Sequence, residues 1–221
     1  MAAAGALTLL IASPSTANAT AEEPGPAAPA ATSKPTPLRY DHLPPASAGA
    51  PRFVLDAGTW LPDRTLTYRF ANSTPDVGGF DQRSAIRLAL DLWATETNLS
   101  FSEVTTGGQL VFSFVTDDHS DGFPFDNRNG VLAHGFFPPP TNTTSIAGDV
   151  HFDDDETWSA LSQSSSAQPI DLRTVAAHEI GHALGLRHSA DRNALMFDFY
   201  NGSHRFLSAD DIAGIQAKYG E

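Results

Sequence analysis

Cysteine is absent from the 221 residues, which excludes disulfides and thiolate ligands, so any bound zinc must rest on histidine and carboxylate. Basic residues are scarce: 13 Lys and Arg stand against 26 Asp and Glu, a formal net charge of −13. So negative a surface disfavours phosphate backbones and anionic lipid, and neither nucleic acid nor membrane is an expected partner. No apolar run reaches the ~20 residues that a membrane-crossing helix needs. What is present is one domain's worth of chain with 41% hydrophobic residues, enough for an ordinary core. The acids cluster in the middle third, at Asp117-Asp118, Asp121, Asp126, Asp149 and Asp153-Asp154-Asp155-Glu156. Such a run is either a solvated face or a set of groups neutralised by bound cations.

Three stretches differ in composition. Residues 2–12 are short and apolar and lead to Ala17-Asn18-Ala19, the pattern of a secretory signal over residues 1–19 cleaved after Ala19. Residues 20–52, rich in Ala, Pro, Ser and Thr, read as a pro-segment or linker. Globular patterning begins near Phe53, so residues 53–221 are expected to form the folded domain. Alternation and aromatic content predict strands at 66–70, 110–115, 131–137 and 149–152. Ile86, Leu90 and Trp93 recur at helical spacing and predict an amphipathic helix over 81–97. A second helix is expected from Asp171, with its carboxylate as cap, to Gly185. A third starts at Ser208 with Asp211 completing a capping box, and buries Ile212 and Ile215. Strands first and helices later give an α+β fold.

The chemistry is concentrated in His178-Glu179-Ile180-Gly181-His182-Ala183-Leu184-Gly185-Leu186-Arg187-His188. Histidines at i and i+4 share one helix face, so His178 and His182 can reach a single metal. Gly185 can end the helix in a left-handed conformation, and the returning chain brings His188 in as a third nitrogen ligand. Three protein ligands leave zinc's fourth position open for water, and Glu179 is placed to act as general base.

The extended motif resembles that of the metzincins, with Ala194-Leu195-Met196 similar to their Met-turn and Met196 its methionine. Ser189, directly after the third histidine, resembles the matrixins; astacins have Glu there, adamalysins Asp and serralysins Pro. Similar tracts run from Leu66-Thr67-Tyr68-Arg69 through His119-x-Asp121-Gly122, Val131-Leu132-Ala133-His134 and Gly148-Asp149-Val150-His151-Phe152-Asp153 to Leu207-Ser208. The resemblance covers about residues 53–220 and implies a metzincin-type α+β domain: a twisted mixed sheet, an active-site helix and a C-terminal helix. It also implies a secreted, extracellular, monomeric zinc endopeptidase acting on protein or peptide substrates. A second, structural zinc is implied at His119, Asp121, His134 and His151. Calcium is implied at Asp126, Asp153 and Glu156, with backbone carbonyls of Asn127, Asn129 and Val131; Asn127 and Asn129 stand where the family has glycine. Asp149 is a candidate ligand for a further calcium, and Asp210 or Asp211 for the ammonium of an activated N-terminus.

Two departures matter. Many matrixins are held latent by a pro-segment cysteine, which this chain lacks; Asp41 is the candidate latency ligand, with His42 as rival. The family's Tyr-Pro-x-Tyr after the Met-turn, which walls the main specificity pocket, reads Phe197-Asp198-Phe199-Tyr200 here. A hydrophobic side chain after the scissile bond is still the expected preference.

Overall fold

The computed structural model describes residues 6–11, 52–161 and 169–221. The expected cleavage site after Ala19, and Asp41 and His42, lie outside them. In chain order the elements are β1 (Ala6–Ile11), β2 (Val54–Leu55), β3 (Thr65–Phe70), α1 (Gly79–Thr95), β4 (Ser100–Glu103), β5 (Leu110–Val115), β6 (Val131–Phe136) and β7 (Asp149–Asp153). There follow β8 (Trp158–Ser159), β9 (Ile170–Asp171), α2 (Leu172–Ala183), β10 (Leu186–Arg187), β11 (Phe199–Tyr200) and α3 (Ala209–Tyr219). A seven-stranded mixed sheet has the order β11-β1-β6-β7-β5-β3-β4. β4, β3, β5 and β7 run parallel, and β6 is antiparallel to β7. This is the expected α+β architecture, with three strands in the main sheet beyond those read from the sequence: β4, β1 and the short β11.

The first addition is β4, a parallel partner of β3. Its Ser-Phe-Ser-Glu sequence is mostly exposed at the sheet edge, so it carries little of the alternation that announces a half-buried strand. The second is β1, drawn from the apolar run read as leader. It lies antiparallel to β6, with Ala6 opposite Phe136 and Thr8 opposite His134, and parallel to β11, with Leu10 opposite Phe199. Among the described residues no helix is long and apolar enough to cross a membrane.

α1 buries Ala85, Ile86, Ala89, Leu90 and Trp93, the predicted face. It starts at Gly79 rather than Asp81, which leaves Asp81 in the first turn, where the helix dipole favours a carboxylate. It ends at Thr95 rather than Thr97; the Thr97 hydroxyl donates to the Trp93 carbonyl at 2.9 Å and replaces the next helical bond. The Trp93 indole N–H donates to the Ala177 carbonyl at 2.9 Å, tying α1 to the middle of α2 inside the core. Both helices and the inner sheet face share one apolar core that includes Phe112, Phe152, Val175 and Ile180.

α2 is buried along nearly its whole length, so its histidines have no amphipathic stripe around them. Asp171 occupies the N-cap position, but its carboxylate makes no bond to a helix N–H. It instead accepts the Thr174 hydroxyl at 2.6 Å and two Arg205 guanidinium bonds at 2.6 and 2.9 Å. Charge-assisted bidentate donors outcompete neutral amides. The expected side-chain cap is therefore corrected to an ion pair. α3 has the predicted capping box at Ser208 and Asp211, and it buries Ile215 fully while Ile212 is only half-buried.

Candidate metal centres

α2 ends at Ala183, and Gly185 turns the chain with φ of 93°. A Cβ at Gly185 would lie 2.5 Å from the Gly58 carbonyl oxygen and 2.3 Å from Lys218 Cε, so both conformation and space call for glycine. The turn brings the His188 ring back beside those of His178 and His182, with centroids 5.2 and 4.8 Å away. One ligand-type nitrogen from each of the three lies within 4.8 Å of the others.

Two of the rings are oriented by backbone carbonyls. His178 Nδ1 sits 2.7 Å from the Leu195 oxygen, and His182 Nδ1 2.7 Å from the Leu186 oxygen. A carbonyl cannot donate, so each Nδ1 carries the proton and each Nε2 presents its lone pair. The Nε2 atoms of His178, His182 and His188 and both Glu179 oxygens are buried without a hydrogen-bond partner. Burial lowers the pKa of His178 to about 4 and that of His182 well below the ordinary imidazole value, so both rings are neutral donors. Burial also pushes the Glu179 carboxyl well above its usual range. Buried polar atoms are nearly always paired, and three orphaned imidazole nitrogens gathered at one point fit a cation.

Beneath this centre lies Met196, 1% exposed. A Cβ on Gly181 would fall 2.3 Å from its sulfur, so helix and Met-turn are in direct contact. On the other side β6 approaches so closely that a Cβ on Gly135 would lie 2.6 Å from the Glu179 carbonyl oxygen. Gly135 was not singled out by the sequence; its need for glycine comes from an approach between distant elements.

The second centre is tighter. Asp121 Oδ2 lies 2.7 Å from His119 Nε2, 2.7 Å from His134 Nε2 and 2.8 Å from His151 Nδ1. His134 Nε2 is 3.3 Å from His119 Nε2 and 3.1 Å from His151 Nδ1. A tetrahedral zinc with bonds of ~2.0–2.1 Å has ligand–ligand edges of about 3.3 Å, close to what these four residues display. The sheet register explains the convergence: His134 of β6 faces His151 of β7 directly. Burial pulls His134 down to about 4. Asp121 is pushed up by burial, yet the Phe123 N–H and the surrounding imidazoles hold it below its ordinary value.

The acidic loop is looser. Asn127 and Asn129 adopt φ of 66° and 67°, the left-handed conformation that asparagine tolerates best after glycine. Asp126 Oδ1 accepts the Val131 N–H at 2.9 Å, and the Asn129 N–H donates to Glu156. Asp153 has a buried oxygen without a partner, and burial with repulsion from Asp155, Glu156 and Asp126 raises its pKa to about 6. Asp149 likewise has a partnerless buried oxygen, and burial raises it to about 7. Such carboxylates are short of positive charge, the condition that a hard oxygen-seeking cation relieves. The two aspartates in the first turn of α3 have different roles: Asp210 accepts the Arg52 backbone N–H at 2.7 Å and the Ser189 hydroxyl at 2.6 Å, whereas Asp211 bonds the Met-turn.

Taken together, the mixed sheet, the buried helix with histidines one turn apart and the third histidine beyond a glycine stop define a zinc-peptidase type of centre. Known proteins agree. The matrixin family profile matches residues 59–220. Interstitial collagenase of Bos taurus is 47% identical over 171 residues, 76% of this chain and 34% of its own length. Karilysin of Tannerella forsythia is 40% identical over 183 residues, 82% of this chain and 37% of its own. Hatching enzyme of Paracentrotus lividus is 43% identical over 172 residues, 76% and 27% respectively. The chain belongs to the matrixin family, whose members are zinc metalloendopeptidases that use catalytic and structural zinc together with calcium. It spans about a third of the length of the curated relatives it matches.

Proposed function

We propose that the chain is a secreted zinc-dependent endopeptidase that hydrolyses peptide bonds in protein substrates, with Glu179 as general base. The observation that carries this reading is the convergence of three buried, partnerless imidazole nitrogens within 4.8 Å of one another, with the buried Glu179 carboxylate on the same helix. His178, His182 and His188 would hold the catalytic zinc. Bound there, zinc supplies Lewis acidity, lowering the pKa of a coordinated water toward ~7 and polarising a carbonyl.

The chain's own residues do the rest. The Leu195 and Leu186 carbonyls fix the two helix histidines in the ligating tautomer. Glu179, adjacent to His178 on α2, would take a proton from the attacking water and return it to the departing amine. Met196 and the apolar core seal the floor of the centre against bulk solvent. The slot between β6 and β11 holds residues 6–11 as a strand paired on both sides. An extended substrate backbone would use the same two sets of pairing groups, a β-strand addition that draws affinity from main-chain hydrogen bonds.

His119, Asp121, His134 and His151 would close a structural zinc site with no room for water. Asp126, Asp153 and Glu156, with the carbonyls of Asn127, Asn129 and Val131, would hold calcium. The reading is tested by casein cleavage before and after treatment with a zinc chelator. Activity should vanish on chelation and return with added zinc. Cleavage that persists in the chelated protein would refute it.

A further inference from the structure

We propose that Asp56 is a positioning residue of the catalytic centre, acting on His182 and His188 through the Gly185–Arg187 segment. This rests on the ligand assignment proposed above. Asp56 follows β2 and lies far from α2 in sequence, yet it is buried, its side chain 2% exposed. Its backbone N–H donates to the Gly185 carbonyl at 2.9 Å. Its Oδ2 accepts from Arg187 Nη2 at 2.5 Å. Asp56 therefore grips the residues on both sides of Leu186, whose carbonyl orients His182 at 2.7 Å. The residue after Arg187 is His188 itself.

A second route leads to the same histidine. The Arg187 guanidinium, held by Asp56, lies 4.9 Å from the centroid of the Phe137 ring. Phe137 packs at 77° to the His182 ring, with centroids 5.9 Å apart. Arg187 is thus pinned between a carboxylate and an aromatic face that abuts the ligand.

The carboxylate is itself held from other directions. Oδ1 accepts the Gly58 N–H at 2.8 Å and the Thr141 hydroxyl, and the Asp56 carbonyl accepts Lys218 Nζ at 2.8 Å. The β2–β10 pairing, Leu186 opposite Leu55 and Arg187 opposite Val54, runs alongside. So many fixed partners make Asp56 a rigid anchor instead of a mobile surface acid. Groups that orient metal ligands from behind alter metal retention by about 10- to 100-fold when removed.

The test uses the full chain loaded with zinc and three variants: Asp56→Asn, Arg187→Gln and the double. Zinc transfer to a chromogenic chelator is followed alongside kcat, KM and the thermal midpoint, with Arg64→Ala as a remote control that loses a bond to the Tyr219 carbonyl. Each single variant should release the catalytic zinc about 10- to 100-fold faster, with kcat falling more than KM changes. The double should release it no faster than the worse single, because both act through one contact. Arg187→Gln changes a half-exposed side chain and keeps the test open if Asp56→Asn folds poorly. Wild-type zinc release in both singles, with only the midpoint lowered as in the control, would overturn the proposal. Full zinc retention in His182→Ala would instead overturn the ligand assignment on which it rests.

Discussion

Asp211 holds Met196 from the far end of the domain: the Met196 backbone N–H donates to Asp211 Oδ1 at 3.0 Å. Its other oxygen accepts the Leu195 N–H at 2.8 Å and the Ser208 N–H at 2.7 Å. One buried carboxylate thus caps α3 and fixes the turn that carries Met196, and the Leu195 it positions is the residue whose carbonyl orients His178. Asp211→Ala leaves two buried N–H groups, of Leu195 and Met196, and the part-buried Ser208 N–H without this acceptor. At about 1–3 kcal/mol for each unsatisfied buried group, urea denaturation should show a loss of about 3 kcal/mol or more. Asp210→Ala, which frees only Arg52 and Ser189, should cost less.

Gly181 leaves no room for a side chain. An added Cβ would lie 2.3 Å from the Met196 sulfur and 3.0 Å from the Trp93 ring. Gly181→Ala should therefore destabilise by about 1–3 kcal/mol, the usual cost of overpacking. The double variant with Met196→Ala should lose less than the sum of the singles, measured as a double-mutant cycle.

The ion pair between Asp171 and Arg205 ties the segment after β11 to the start of α2. Asp171 is fully buried and Arg205 partly so, and the neighbouring Thr174 hydroxyl accepts the His204 N–H at 2.8 Å. Arg205→Ala strands a buried carboxylate and should cost about 3–5 kcal/mol. Thr174 and His204 also line the pocket beside His178, so the same variant should change the ranking of peptide substrates by the side chain after the scissile bond. Denaturant titration and a peptide panel check the two effects.

Asp56 gives a pH signature. Burial pushes its carboxyl up, but bonds from Thr141, Gly58 and Arg187 more than offset this and leave it below 3.8. The unfolded chain then binds more protons near that pH than the folded one. The stabilisation is fully present above the unfolded pKa and is lost as pH falls through the lower folded value. The unfolding free-energy gap between wild type and Asp56→Asn should be level above about pH 5 and shrink below about pH 4.

The clustering of His178, His182 and His188 was legible in the sequence because their spacing is local chemistry: i and i+4 on a helix, a glycine stop, a third histidine. Asn127 and Asn129 were legible for a similar reason, since few residues accept a left-handed backbone. What escaped it acts at long range or through the backbone. The Leu186 and Leu195 carbonyls have no side-chain signature, and Asp56 reaches Arg187 across most of the domain. Asp171 sat at a correct helix start with its partner misjudged, because Arg205 lies far along the chain. β4 and β1 were missed because strand pairing at an edge is decided by the neighbouring strand.

The central claim is that Glu179 moves the proton at a centre whose metal is held by His178, His182 and His188. Glu179→Gln keeps size and burial, so its zinc content, measured by atomic absorption, should equal that of wild type. Its kcat/KM on a quenched-fluorescence peptide should fall by about 10²- to 10⁴-fold, the contribution of a general base. A variant with full zinc and wild-type turnover would contradict the account.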